Sequence, residues 1–481
     1  MRSIAGPARK FSRAILALTI VLGMLWANPL YAPAAMGTPG ALPDRPGRAD
    51  RALQAVLKDL GGQRAEVIAI QRELVSRPAV NPEHGGRGED EKARWVEAWL
   101  LKNGLPPAER IDSPDARVPA KVRPNLILHY PGTSGRTLWI MGHMDVAPAG
   151  AESQWTGSPW ALRADGDTLY GRGTVDNDQC IATGLVLLKS LARQRAAPPL
   201  GLGILLISAA KTGFPKTHGT QRVLAVRPDL FKPGDLILVN DYGNAEGTLI
   251  EIAEKGFLQL KVTVRGRQAH AALPHQGVNA VHAGVEFIHE FSRLHERFPK
   301  VNSLFTPDVS TFTATTVEAG SGMPSQVPAE FAFYMDCRFV PGYTVESVSQ
   351  AVRDLADSVE KRNGVTIALE RVTAIEPMPP TAPTAMVVLA LRQGIVEELK
   401  KEPHLAGNGA STIAAELRAR NLPVAVWQMA DSLGHSAEEN ISVSSHLKSA
   451  RIFARMLFSE DPYAGLPSPR QADNPAQGRS Q

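Results

Sequence analysis

Four segments of the chain place histidines or acids at the ends of apolar runs. The segment "IMGHMDVAP" carries His143 and Asp145 directly after a strand-like run, and "LILVNDYGN" leaves Asp241 at the end of another. Asp176 lies in a glycine-rich turn before an apolar helix, and His435 lies in the loop "SLGHSAEEN". Two imidazoles and two carboxylates form a mixed nitrogen and oxygen ligand set that suits zinc or a similar divalent ion. The pattern predicts a metal site.

Each of these segments also has a simpler interpretation. A His-x-Asp pair can be an ordinary loop salt link, and Asp176 or Asp178 can cap the helix that follows. A metal site is favoured because the candidate residues all lie near the ends of strands in an α/β sheet, where binding sites assemble. Asp145, two residues after His143, is well placed to hold the second ring nitrogen of that histidine.

The elements that must position these side chains alternate between strands and helices. Apolar strands are predicted at 125–130, 137–141, 203–208 and 235–239, and helices at about 88–103 and 178–194. Near-continuous apolar strands between helices indicate an α/β domain with a sheet buried on both faces.

The pattern changes to period two at about Lys255. Two strand–helix–strand units, with helices at 277–295 and 344–361, predict a compact α+β insertion with one exposed sheet face. Helices at 386–399 and 411–420 and a strand at 423–427 then resume the first domain. The predicted segments are a linker at 36–51, a catalytic-type domain at 52–254 and 376–458, an insertion at 255–375 and a disordered tail at 459–481.

Composition and the first residues exclude some classes and indicate export. The 481 residues are 43% hydrophobic and 21% charged, which excludes a disordered chain. The formal charge of +4 is matched by four basic residues in the leading segment, so it does not indicate nucleic-acid binding.

Residues 1–35 follow the order of a secretory signal peptide, which predicts a periplasmic or secreted protein. An uncleaved membrane anchor is the alternative. Cys180 and Cys337 are expected to be buried small residues.

Five ordered segments, "GHMDVAP", "LYGRGTVDND", "IEIAEKGFLQLKVTVRGRQAHAALPHQGVNAV", "FYMDCRFVPGY" and "GHSAEEN", resemble the M20 family of zinc metallopeptidases and amidohydrolases. The family includes glutamate carboxypeptidases, acetylornithine deacetylases and succinyl-diaminopimelate desuccinylases, and the likeness covers about residues 65–458. It implies an α/β phosphorylase/hydrolase-like zinc-peptidase catalytic domain. It also implies an inserted α+β, ferredoxin-like domain that acts as a lid and in dimerisation.

The resemblance implies a role for each matching residue. It implies that His143 and Asp241 bind a first metal ion and that the Asp176 carboxylate bridges this ion to a second one. It further implies that His435 binds the second ion and that Asp145 orients His143. His270, in "GRQAHAALPH", is similar to the histidine that reaches a neighbouring active site in dimeric members to stabilise the oxyanion. The loop "GNGAST" is similar to the family's substrate-binding loop, which implies that role for Gly407, Asn408, Gly409 and Thr412.

One segment departs from the family pattern. Where members carry Asp-Glu-Glu, with a general base followed by a ligand of the second zinc, this chain carries Ala210 and Lys211. No acid occurs between Asp178 and Asp229, so no shift of register restores the pair. The resemblance then implies about one zinc ion per chain, because the second site keeps only Asp176 and His435.

Two functions of different class remain open. One is a hydrolase of a peptide or N-acyl amide bond that uses a substitute base such as Glu254, Asp178 or Glu439. The other is an exported, catalytically inactive binding protein that keeps the substrate cleft. A third possibility is that the metal residues have only structural roles. In the first two cases the expected ligand is a small peptide or an N-acyl amino acid, and the inserted domain makes a homodimer plausible.

Overall fold

The computed structural model describes residues 47–210, 217–319, 323–430 and 434–459. The predicted signal segment, Lys211 and nearly all of the predicted tail therefore lie outside the described residues. Within the described ranges, every helix is too short or too polar to cross a bilayer.

Helices cover both the catalytic-type part of the chain and the inserted part. Their bounds are α1 (Arg48–Gly61), α2 (Arg64–Val75), α3 (Asp90–Lys102), α4 (Asp178–Arg193), α5 (Thr220–Val226), α6 (Ala280–Ser292), α7 (Val345–Asn363), α8 (Met386–Leu399), α9 (Ala414–Arg418) and α10 (Val443–Phe458).

The strands include those that the sequence predicts, in the predicted order, together with others that it does not predict. Their bounds are β1 (Glu109–Pro114), β2 (Val122–Tyr130), β3 (Thr137–His143), β4 (Arg163–Asp165), β5 (Thr168–Tyr170), β6 (Gly201–Ile207), β7 (Leu236–Gly243), β8 (Leu249–Glu254), β9 (Gly256–Arg265), β10 (Ala269–His270), β11 (Thr311–Ala319), β12 (Gln326–Val327), β13 (Glu330–Phe339), β14 (Thr366–Ile375), β15 (His404–Asn408), β16 (Val424–Gln428) and β17 (Asn440–Ser442).

A large mixed sheet carries the candidate metal residues. Its strands lie in the order β1-β2-β6-β3-β7-β16-β8-β15, and β3 is parallel to both β6 and β7. Every residue of β3 and β6 is buried, which confirms the prediction of strands covered on both faces. Helices α4, α8 and α10 pack with α1 and α2 in the hydrophobic core beside this sheet.

The inserted part forms a separate antiparallel sheet. Its order is β11-β13-β9-β14, which is the strand order of a ferredoxin-like fold. Along β9 buried and half-buried residues alternate, because α6 and α7 cover only one face. The sheet begins at Gly256 and ends at Ile375, whereas the division of the chain into domains stays a prediction.

Several element boundaries differ from the prediction, three of them in helices described next. Helix α1 begins at Arg48, inside the predicted linker, and the Asp50 carboxylate accepts a hydrogen bond from the Gly47 amide at its start. Helix α6 ends at Ser292, and a short 3-10 turn follows it. Helix α9 begins at Ala414, three residues after the predicted start, and the Thr412 amide before it donates to Glu254 Oε1.

Candidate metal site and its pocket

Three predicted ligands meet at one end of the large sheet. Strand β3 ends at His143, and the Nε2 atom of this fully buried residue lies 3.1 Å from Asp176 Oδ1 and 3.4 Å from Asp241 Oδ1. One ligand atom from each residue lies within 4.8 Å of the others. Asp241 comes from β7, the strand beside β3, and Asp176 from the turn before α4. Sheet order therefore brings together residues that lie far apart in sequence.

The spacing of these atoms fits a divalent ion. Ligands of a tetrahedral zinc ion lie about 3.3 Å apart, given metal–ligand distances of roughly 2.0–2.2 Å. His143 Nδ1 lies 2.9 Å from the Asp145 carbonyl oxygen and 3.3 Å from its carboxylate, so this nitrogen carries the proton. The lone pair on Nε2 then faces two carboxylates, and a cation between the three groups resolves their mutual repulsion.

Asp176 also connects this cluster to the residue predicted for a second ion. Its Oδ2 atom lies 3.0 Å from His435 Nε2, while its Oδ1 atom faces His143. One carboxylate between two imidazoles is the arrangement that a metal-bridging ligand requires. His435 is the more exposed of the two histidines, with 60% of its side chain accessible.

The position predicted for the missing base lies beside the orienting carboxylate. The Ala210 amide donates to Asp145 Oδ1 over 3.0 Å, so a side chain at this position starts close to the metal cluster. A methyl group is neither a metal ligand nor a proton acceptor. The described residues thus supply two ligands, Asp176 and His435, to the second ion position.

Asn177, which sequence reasoning missed, ties the ligand strands together. Its Oδ1 atom accepts from the His143 amide over 3.1 Å, and its Nδ2 atom donates to Asp241 Oδ1 over 3.1 Å. It is also the N-cap residue of α4, without a side-chain cap hydrogen bond. Neither Asp176 nor Asp178 therefore occupies the N-cap position, although Asp178 lies in the first turn of the helix.

A buried polar network supports Asp145. Its Oδ2 atom accepts from Asn81 Nδ2 over 2.7 Å, and the Asn81 oxygen accepts from Arg123, which also pairs with Glu89. Burial raises the pKa of Glu89, although its bond to Arg123 acts in the opposite direction. Through Asp145, the network connects α3 and β2 to His143. The sequence does not indicate this network, because its members are separate polar residues far apart in the chain.

Glu439 is a structural anchor and not an accessible base. Its carboxylate accepts from the backbone amides of Gly173, Val175 and Asp176 over 3.1, 2.8 and 2.9 Å, and it pairs with Arg172 over 2.6 Å. The side chain is fully buried. Glu439 therefore fixes the turn that presents Asp176, and these contacts count against the predicted role of a substitute base.

The other two candidate bases are also engaged in structural contacts. Asp178 pairs with Lys92, and both side chains are almost completely buried. Glu254 accepts from the backbone amide and the hydroxyl of Thr412 over 2.7 Å each. These contacts hold the Asp178 carboxylate to helix α3 and the Glu254 carboxylate to the loop before α9, which counts against either as the predicted base.

A cavity of about 230 Å³ opens beside the metal cluster. It is lined by Val175, Asp176, Asp241, Tyr242, Gly243, Asn408, Ala410, Ser411, Thr412, Gln428, Gly434 and His435. Of the predicted substrate loop, Asn408 and Thr412 line the cavity, whereas Gly407 and Gly409 do not. His270 is exposed on β10 of the inserted part and does not line it either. Tyr242 and Gln428 are lining residues that the sequence did not indicate.

Comparisons with known proteins agree with this architecture. The M20 peptidase dimerisation domain matches residues 252–364. The chain is 30% identical over 412 residues to an uncharacterised metallohydrolase of Methanocaldococcus jannaschii, which covers 82% of this chain and 98% of that protein. It is 27% identical over 344 residues to a succinyl-diaminopimelate desuccinylase of Paracoccus denitrificans, covering 71% of this chain and 87% of the relative.

Solved structures show the same fold. Human carnosine dipeptidase 1 superimposes with a TM-score of 0.68 at 18% identity, over 84% of this chain and 98% of that one. The dipeptidase Dug1p from Saccharomyces cerevisiae gives a TM-score of 0.68 at 16% identity with the same coverage. Together with the match to the dimerisation domain and the extent of the sequence likeness, these findings establish that the chain belongs to the M20 family of metallohydrolases.

Proposed function

We propose that this protein binds one zinc ion at His143, Asp176 and Asp241 and takes a small peptide or N-acyl amino acid into the adjoining cavity, but hydrolyses it very poorly. The observation that carries the proposal is the site itself, which combines three convergent ligands with an alanine at the position of the general base. The ion, when bound, supplies Lewis-acid activation of an amide carbonyl or a water molecule.

The proposed weakness in hydrolysis follows from proton transfer. Amide hydrolysis needs a group that accepts a proton from water and returns it to the leaving amine, and such catalysis contributes typically ~10²–10⁴-fold. Ala210 has no proton acceptor, and Asp178, Glu254 and Glu439 are held by structural partners. The geometry therefore favours a substrate-binding protein with residual turnover over an efficient enzyme.

An active peptidase or amidase is the second candidate function. It is favoured by the relationship to a succinyl-diaminopimelate desuccinylase and by the folds of two dipeptidases. This function requires a base from a position other than Ala210, Asp178, Glu254 and Glu439.

Zinc stoichiometry tests the proposed metal site. The dialysed wild-type protein should retain about one equivalent, measured by mass spectrometry of the metal, because the second position has two described ligands. Replacing Ala210→Glu together with Lys211→Glu should raise the value toward two. The matched control is Ala210→Gln with Lys211→Gln, which has the same shape without the charge and should leave the value at one. Two equivalents in the wild type contradict the proposal.

Two further properties belong to this proposal. The match of the inserted part to the M20 dimerisation domain supports a homodimer. Analytical ultracentrifugation of the full chain should give the mass of a dimer, and the mass of a monomer would contradict this proposal. The residue order of 1–35 supports export, and sequencing the N-terminus of protein from the native cell envelope tests it. An intact Met1 in a cytoplasmic fraction would contradict export.

A further inference from the structure

Gln428 lies at the end of β16 and lines the cavity, yet only 5% of the residue is exposed. Its Oε1 atom accepts a hydrogen bond from Gln179 Nε2 over 3.1 Å. Gln179 lies in the first turn of α4 and is almost completely buried. The oxygen of the Gln428 carboxamide is therefore occupied from the inner side of the protein.

The contact with Gln179 is the last of a series of buried hydrogen bonds. Gln179 Oε1 accepts from the Thr183 hydroxyl over 3.3 Å, and this hydroxyl lies 3.1 Å from His446 Nδ1. His446 Nε2 lies 3.2 Å from Gln71 Nε2, which also donates to the Thr174 carbonyl over 3.3 Å. The series runs from the turn that carries Asp176 to the cavity.

Donor and acceptor chemistry, together with the Thr183 hydrogen bond to Gln179 Oε1, gives this series one direction. The Thr174 carbonyl only accepts, so the atom of Gln71 that faces it is the amide nitrogen, and His446 Nε2 must accept from the same group. His446 Nδ1 then carries the proton and donates to Thr183, whose own hydrogen goes to Gln179. Burial lowers the pKa of His446 to about 3, so the ring is neutral, as this arrangement requires.

The direction of the series decides which end of Gln428 faces the cavity. Because Oε1 accepts from Gln179, the NH₂ group is left for the cavity side, and none of the residues in the described ranges accepts from it. Asn408 is arranged in the same way, since its Oδ1 atom accepts from the Ala410 amide over 2.9 Å. Two carboxamide donors thus line the cavity with the metal residues.

We propose that Gln428 is a specificity-determining residue that donates a hydrogen bond to an acceptor oxygen of the ligand, a carboxylate or a carbonyl, and that the buried series from Thr174 holds it in this orientation. The inference rests on the proposed function, because it assigns a ligand group to the same cavity. With its NH₂ group facing the cavity, Gln428 favours ligands that present a hydrogen-bond acceptor, such as a carboxylate or carbonyl oxygen, at this position.

Binding of matched probes to the zinc-loaded protein tests the inference. The probes are N-acetyl-L-alanine and N-acetyl-L-alaninamide, whose affinities are measured by calorimetry at pH 8 in the wild type, Gln428→Glu and Gln428→Met. Removing the donor in Gln428→Met should weaken the preferred probe roughly 3–10-fold. In Gln428→Glu the carboxylate probe should weaken at least tenfold, because like charges then face each other. The probe that the wild type prefers distinguishes a carboxylate acceptor from a carbonyl acceptor.

A second pair of variants tests the buried series without touching the cavity. Thr183→Val removes the hydroxyl and keeps the shape, whereas Thr183→Ser keeps the hydroxyl. We expect Thr183→Val to weaken the preferred probe severalfold and Thr183→Ser to bind it as the wild type does. Zinc affinity should be the same in both, which separates loss of orientation from damage to the metal site.

The outcomes distinguish this inference from the proposed function. If the wild type binds a probe and all Gln428 and Thr183 variants bind it equally well, the inference is wrong and the proposed function stands. If the zinc-loaded wild type binds neither probe, the proposed function fails and the inference fails with it. Loss of probe binding with unchanged zinc affinity supports both.

Discussion

Replacing Glu439→Gln should unfold the protein more easily and weaken its metal site, because this carboxylate holds the turn that presents Asp176. In the wild type, one carboxylate oxygen accepts from two backbone amides, and the other accepts from the Gly173 amide and Arg172. A glutamine keeps one oxygen and turns an NH₂ group toward two donors. Only 1% of the Arg172 side chain is exposed, so its charge is left buried without a counter-ion.

The expected magnitude follows from this burial. Removing one partner of a buried ion pair costs typically about 3–5 kcal/mol, and we expect the free energy of unfolding to fall by that amount. The neighbouring Glu438 offers a matched control. It pairs with Arg163 over 2.5 Å, and both side chains are about one-third exposed, at 34% each. Such a pair contributes about 0–1 kcal/mol, and a glutamine oxygen can still accept from the Thr156 amide as Glu438 Oε1 does, so Glu438→Gln should be nearly neutral.

Two assays separate stability from metal binding. Urea unfolding of the wild type and both variants gives the free energies, and a zinc titration of the folded proteins gives the affinities. We expect zinc to bind at least tenfold more weakly to Glu439→Gln, because the freed turn no longer fixes Asp176. Equal unfolding free energies and equal zinc affinities for Glu439→Gln and Glu438→Gln would refute the reasoning.

Three further perturbations have defined outcomes. The folded state keeps His446 neutral with a pKa of about 3, whereas the histidine of the unfolded chain takes up a proton as the pH falls through about 6.5. The free energy of unfolding should therefore fall by about 1.6 kcal/mol between pH 6.5 and 5, and urea unfolding of His446→Gln should show a smaller fall. Gly142→Ala places a Cβ against Asn177 Oδ1 and 2.5 Å from Cys180 Sγ, which should cost roughly 1–3 kcal/mol in thermal unfolding. Gly409→Ala, with nothing within 4 Å, should be neutral. Lys92→Met leaves its buried acid partner unpaired and should cost about 3–5 kcal/mol in urea unfolding.

The sequence predicted the parts of this structure that local pattern controls. Continuous apolar runs identified β3 and β6, and the change to period two at Lys255 located the inserted sheet. His143 and Asp241 were found because each lies at the end of such a run. Burial of both cysteines is confirmed as well.

The sequence does not predict which side chains contact each other. The sequence presents Glu439, Asp178 and Glu254 as candidate bases because it does not show which side chain each acid contacts. Their partners lie on elements that only the fold brings together, such as Lys92 on α3 for Asp178 on α4. Gln428 gave no signal for a related reason, since its orientation depends on residues from three helices and a turn.

Turnover by the zinc-loaded wild-type protein tests the central claim most directly. The measurement uses a panel of dipeptides and N-acyl amino acids and compares each rate with the usual enzyme range of ~1–10³ s⁻¹. With alanine at position 210 and no accessible base among Asp178, Glu254 and Glu439, we predict rates at least ~10²-fold below that range. A rate within the range for any of these substrates would contradict the account.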